Sequence, residues 1–237
     1  MSLKVTTFSS KGRVTRISSF KCEDNIVHLQ SDNQLRVFLI LEMSEDVKEI
    51  KVNVELENLE KILTEIDNLK LHRFRNKETG KLFRLHTNFL VTVKLDSGVD
   101  ELIGISVKST SELERKTVIE KLEIERRYWQ AKGVRFVIIT DKEIDKKLTD
   151  NIMWIRETLT DKSVTDKEEL SERLYYMLQD CQSENVSDVL FKFDNEEKVK
   201  SGTGLFLFRY LIADKQIGVD IKRNINLKEK VKNLIKF

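Results

Sequence analysis

Residues 81–108 read KLFRLHTNFLVTVKLDSGVDELIGISVK, and this stretch decides the fold. Phe89, Val91 and Val93 alternate with Leu90, Thr92 and Lys94, the period of two that sends successive side chains to opposite faces of a strand. Asp96-Ser97-Gly98 supplies a turn. Ile103, Ile105 and Val107 then resume the alternation, with Gly104, Ser106 and Lys108 on the other face. The reading is two strands joined by a turn. Near the end of the second strand a small polar residue and a lysine share one face, and Asn88 lies near the start of the first.

Elements of both kinds flank this pair. Upstream, Ser31-Asp32 can cap a helix whose face carries Leu35, Phe38, Leu39 and Met43, with Gln34 in its first turn. Asp46–Leu56 alternates as an amphipathic strand, and Glu57–Leu71 has helical spacing at Leu59, Ile62, Leu63 and Ile66. Downstream, Ser111 followed by Glu114 predicts a capping box and a helix from Glu112 to Lys132, stopped at Gly133. The charges of that helix, Glu125 among them, read as a solvated, ion-paired face, with Tyr128 and Trp129 closing the core beneath it. Val134–Thr140 is apolar enough to be a strand buried on both faces. Helix, strands, helix and strand make an α/β core.

Beyond Asp141 the pattern changes to shorter helices, at Lys142–Thr158, Glu168–Cys181, Ser187–Phe193 and Gly204–Leu211, followed by a strand at Ile217–Ile221. The polar segment Thr160–Asp166 is the expected boundary, giving domains 1–162 and 163–237, the second small and winged-helix-like. From Glu196 to Phe237 there are 10 basic and 5 acidic residues, which suits a phosphate backbone or an acidic partner. Gly202-Thr203-Gly204 resembles a phosphate loop only loosely, lacking the Lys-Ser or Lys-Thr that follows, and a helix cap explains it better.

Composition bounds the rest. The 237 residues are 40% hydrophobic, enough for a sizeable core, and 42 basic residues nearly balance 40 acidic ones. No run of 18 apolar residues can cross a membrane, and MSLKVTTFSSKGR has no apolar signal core, so a cytoplasmic protein is expected. Cys22 and Cys181 lack metal-ligand spacing and read as free thiols; His28, His72 and His86 form no zinc site or triad. Proline is absent, where average usage would give about a dozen. The basic arm around Lys11, Arg13 and Arg16 is either a solvated lead-in or a DNA-phosphate contact.

These segments, taken together, resemble the TnsA family, the endonuclease subunit of Tn-seven-type heteromeric transposases. FSSKGRVTRI, HLQSDNQLRVFLILE, HTNFLVTV, the segment from Ile105 to Ile144 and SGTGLFLFRYLIADKQIGVDI occur in the family's order and spacing. The resemblance implies a restriction-endonuclease-like (PD-(D/E)xK) domain followed by a winged-helix-like one. It further implies magnesium-dependent cleavage at the 5′ ends of the transposon. The implied partners are transposon-end DNA, a DDE-type transposase subunit (TnsB-like) and an AAA+ ATPase regulator (TnsC-like). The family's first-helix glutamate falls on Gln34, its strand aspartate on Asn88, its variable polar residue on Ser106 and its lysine on Lys108. A further strand glutamate falls on Val52, and the usual proline after the lysine on Ser109.

The lysine is kept, and the two carboxylates are replaced by amides. Magnesium is a hard cation that prefers carboxylate and water oxygens. Gln34, Asn88 and Ser106, the residues at the metal positions, offer oxygen without charge. One unit-charge pair at 4 Å is worth ~4 kcal/mol at an effective dielectric of 20, and a divalent ion doubles it. A chain lacking two carboxylates is therefore expected to cleave DNA poorly or not at all, leaving as the alternative a catalytically inactive DNA-binding or assembly subunit.

Overall fold

The structure, a computed structural model, describes residues 14–63 and 69–237 and divides into two compact units, Met1–Ile144 and Asp145–Phe237. In the first, β1 (Thr15–Ser18) pairs antiparallel with β2 (Ile26–Leu29), so part of the arm read as a polar lead-in is a strand. Helix α1 (Asp32–Met43) starts at Ser31, whose hydroxyl accepts from the Gln34 amide at 3.2 Å, the cap the sequence announces. Strand β3 (Val47–Glu55) follows, then a short helix α2 (Leu59–Ile62) and a 3-10 turn at Leu71–Phe74. The helix expected over Glu57–Leu71 is thus cut to one turn among the described residues. Asn58 at its start is left-handed without a side-chain cap, and Leu63 at its end is extended. Leu59, Leu63, Leu69 and Leu71 are all buried in one cluster, so packing, not helical periodicity, places these leucines.

Strands β4 (His86–Lys94) and β5 (Asp100–Lys108) form the antiparallel pair read from the opening stretch, with Gly98 at φ 79° in the turn between them. After β5, a 3-10 turn at Thr110–Glu114 precedes α3 (Lys116–Ala131). The capping box is Ser109 with Glu112, whose carboxylate accepts from the Ser109 amide at 2.7 Å, not Ser111 with Glu114. Gly133 at φ 68° ends the helix as expected, and β6 (Arg135–Thr140) pairs parallel with β5. The sheet order is β3-β4-β5-β6. As the last strand, β6 stays half open, with Ile138 41% exposed, so it is not buried on both faces.

The sheet lies between two apolar layers. On one side Val37 and Phe38 of α1 meet Phe89, Val91, Ile105 and Val107; on the other, Ile124, Tyr128 and Trp129 of α3 meet Leu90 and Phe136. The α3 side is close-packed at Gly104, where an added Cβ would stand 3.1 Å from the Trp129 ring.

The second unit is helical: α4 (Lys146–Thr160), α5 (Lys167–Asp180), α6 (Val186–Glu196), α7 (Thr203–Ala213) and α8 (Val231–Leu234). Helix α7, with Leu207, Phe208 and Leu211 wholly buried, packs on α4, α5 and α6. Because α4 belongs to this core, the division falls at Ile144/Asp145 and not at 162/163. Gly202-Thr203-Gly204 does start α7, and the Asp194 carboxylate accepts from the Gly202 amide at 2.7 Å and the Gly204 amide at 2.6 Å. Those amides are committed to a carboxylate of the chain itself. The strand expected at Ile217–Ile221 is reduced to one bridge, Gly218 to Lys236. Asp220 turns the chain away, accepting from the Lys222 amide at 3.0 Å.

Candidate active site

A regular strand keeps residues i and i+2 on one face, and β4 breaks that rule at Asn88. Phe89 stacks with Phe38 of α1, yet Thr87, two residues back, donates its hydroxyl to Glu125 of α3 at 2.9 Å. The neighbouring strand turns over at the same level. Val52, paired with Phe89, packs toward the α1 side, whereas Val54, paired with Thr87, packs toward the α3 side. Between them Asn53 is left-handed at φ 54°, a conformation asparagine tolerates better than most residues, and its carboxamide donates to the His28 carbonyl at 3.1 Å. Asn88 therefore leaves the strand sideways. Its Oδ1 accepts from the backbone amide of Val107 in β5 at 2.7 Å, just beyond the last ladder pair, Phe89 with Ile105.

This places Asn88 beside the end of β5, next to Lys108. Lys108 shares its face of β5 with Ser106, and its ammonium is held below the usual lysine range first by burial and then by the Lys121 charge, partly offset by Glu125 and Glu112. Ser106 is fully buried, and its hydroxyl donates to Glu125 in a short hydrogen bond. Gln34 is buried on α1, where its Oε1 accepts from the Gln30 amide at 2.9 Å. Among the described residues no hydrogen bond joins it to Asn88, Ser106 or Lys108. Of the expected DNA contacts, Lys11 and Arg13 lie outside the described residues, while Arg16 is exposed on β1.

The group that sequence reasoning missed is Glu125. Read as part of a solvated face, it is instead fully buried. One carboxylate oxygen takes the Thr87 and Ser106 hydroxyls; the other lies 3.0 Å from Lys121 Nζ, too poorly aligned for a hydrogen bond, so that contact is Coulombic. Lys121 also donates to the His86 carbonyl at 2.9 Å, and Trp129 Nε1 donates to Thr87 at 2.8 Å. A signal was available: Leu122, Glu125 and Trp129, at helical spacing, set the carboxylate inside the apolar stripe of α3.

The donor set can be tested against a divalent ion. The carboxamide oxygens of Asn88 and Gln34 and the hydroxyl of Ser106 already have protein partners, and Glu125 is neutralised by Lys121. Among the described residues no three His, Cys, Asp or Glu side chains gather to hold a metal. The residues do not fit a hard cation.

A mixed sheet with helices on both faces, polar groups gathered where two strands part, and a separate helical unit define a two-part α/β protein. Each part has known relatives. Residues 44–141 match the TnsA-like endonuclease N-terminal domain, and residues 143–221 the TnsA endonuclease C-terminal domain. The chain is 32% identical over 223 residues to the transposon Tn7 transposition protein TnsA of Escherichia coli, covering 94% of this chain and 79% of that protein. It belongs to the TnsA family. Among the described residues no helix is long and apolar enough to cross a membrane.

Proposed function

We propose that this chain is the TnsA-type subunit of a heteromeric transposase whose own strand-cleavage step is weak or lost, and whose role has moved toward assembly on transposon-end DNA. The supporting observation is the commitment of the polar oxygens. Asn88 is bound to Val107, Gln34 to Gln30 and Ser106 to Glu125, and at Gln34 and Asn88 an amide stands where the family has a carboxylate. In a PD-(D/E)xK nuclease a magnesium ion would orient water and offset charge on the phosphate; here the donors for it are amides and a hydroxyl. The DNA, the DDE-type transposase and the AAA+ regulator remain the proposed partners, and the helical unit is read as the winged-helix-like domain of that assembly.

The test is 5′-end cleavage of a plasmid carrying the transposon ends, with magnesium and the partner transposase. The unaltered chain should leave the 5′ strands intact while the 3′ ends are cut. The variant Gln34→Glu/Asn88→Asp should cut them, since a carboxylate in place of the Asn88 carboxamide can still accept from the Val107 amide. Magnesium-dependent 5′ cleavage by the unaltered chain that vanishes in Lys108→Ala would overturn the reading in favour of an active nuclease.

A further inference from the structure

The last segment of the second unit is rich in basic residues, and it is not a loose tail. Between Lys222 and Lys236 there are six basic residues and one acidic residue. The Leu227 carbonyl accepts from the Ser187 amide at 2.8 Å and the Glu229 carbonyl from Val186 at 3.0 Å. The Val231 amide donates to Glu184 at 3.0 Å and the Lys232 amide to Gln182 at 3.1 Å. Four backbone hydrogen bonds thus pin residues 227–232 along the start of α6. Burial along the segment alternates: Leu227 and Glu229 are half-buried and Val231 fully buried, while Lys228, Lys230 and Lys232 are exposed. Glu229, the one acid present, is engaged by Arg223 at 3.2 Å. The ammonium groups of Lys228, Lys230 and Lys232 make no ion pair among the described residues.

We infer that Lys228, Lys230 and Lys232, on the turn into α8 and in its first turn, form a fixed cationic cluster that holds the phosphate backbone of duplex DNA without reading its sequence and without a metal ion. This rests on the reading above that the chain works on DNA, and it gives that binding a place and a chemistry. The open cations are lysines, compact point charges that bind phosphate, while the nearby Arg223 is already paired with Glu229. A polyanionic backbone complements exposed cations that carry no counter-charge of their own among the described residues. Because the segment is pinned by main-chain bonds, binding has to order only the lysine side chains and not the backbone.

The experiment measures fluorescence anisotropy of a random-sequence duplex with the full chain, in EDTA, at several salt concentrations. Neutralising one phosphate contact lowers the slope of log K against log salt by roughly 0.9, so Lys228→Gln/Lys230→Gln/Lys232→Gln should lower it by about 2.7. The triple Lys→Arg variant should keep the slope. Lys77→Gln/Lys81→Gln/Lys94→Gln, which removes three exposed lysines of the first unit, should keep it as well. Binding whose slope is unmoved by the Lys228/Lys230/Lys232 change, or falls equally in the control, overturns the cluster's role while leaving the assembly role intact. No binding to any duplex overturns both.

Discussion

Replacing Glu125 with alanine should unfold the first unit far more readily, although the carboxylate lies in what reads as a charged surface helix. The side chain is fully buried and serves Thr87, Ser106 and Lys121 together. Its loss strands two hydroxyls, one of them on a wholly buried serine, each at about 1–3 kcal/mol when nothing replaces the partner. It also leaves the Lys121 ammonium, 27% exposed, without its counter-charge. Breaking a buried pair from one side costs about 3–5 kcal/mol, and the terms overlap because a single carboxylate supplies them all. We take ~4 kcal/mol, which for a protein of this size lowers Tm by roughly 8–16 °C. Removing both charges as Lys121→Met/Glu125→Met should cost much less, since apolar replacement of a buried pair is often near neutral. Urea unfolding followed by the fluorescence of Trp129, with Trp154 replaced by phenylalanine in every variant, measures this. A loss below about 1 kcal/mol for Glu125→Ala, or a double variant as unstable as the single one, would refute the network's role.

Lys108→Met should stabilise the chain by about 1 kcal/mol, because it removes a cation that burial and Lys121 disfavour. The native state then binds fewer protons than the unfolded one between the lowered pKa and the ordinary 10.5, so stability rises with pH across that window; the variant should lack this rise in urea midpoints taken from pH 7 to 10. In the second unit, Asp194→Ala frees the Gly202 and Gly204 amides at the start of α7 and should cost about 1–2 kcal/mol by urea unfolding. Gly204→Ala should cost about 1–3 kcal/mol as well, since its Cβ would lie 2.8 Å from the Leu190 carbonyl oxygen; a neutral result would mean that α6 and α7 can slide apart.

The sequence by itself determined the β4–β5 pair, the Ser31 cap of α1, the Gly133 stop of α3 and the helices around α7. Each rests on a local cause: a two-residue alternation, a hydroxyl within reach of its own helix, a glycine at positive φ, or an apolar stripe at helical spacing. It also marked Asn88, Ser106 and Lys108, because their residue types and spacing along the chain survive folding unchanged. What only the tertiary structure decided is where those side chains go. Strand periodicity treats Thr87 and Phe89 as neighbours on one face, but the left-handed Asn53 on the adjoining strand turns the ladder over and sends them to opposite helices. Nothing near Asn88 in sequence announces that turn, since its cause is 35 residues away. Glu125 escaped for the same reason. A carboxylate on a helix looks solvated until the sheet beneath it supplies two hydroxyls and its own helix an ammonium, and only the packed fold brings those partners within reach.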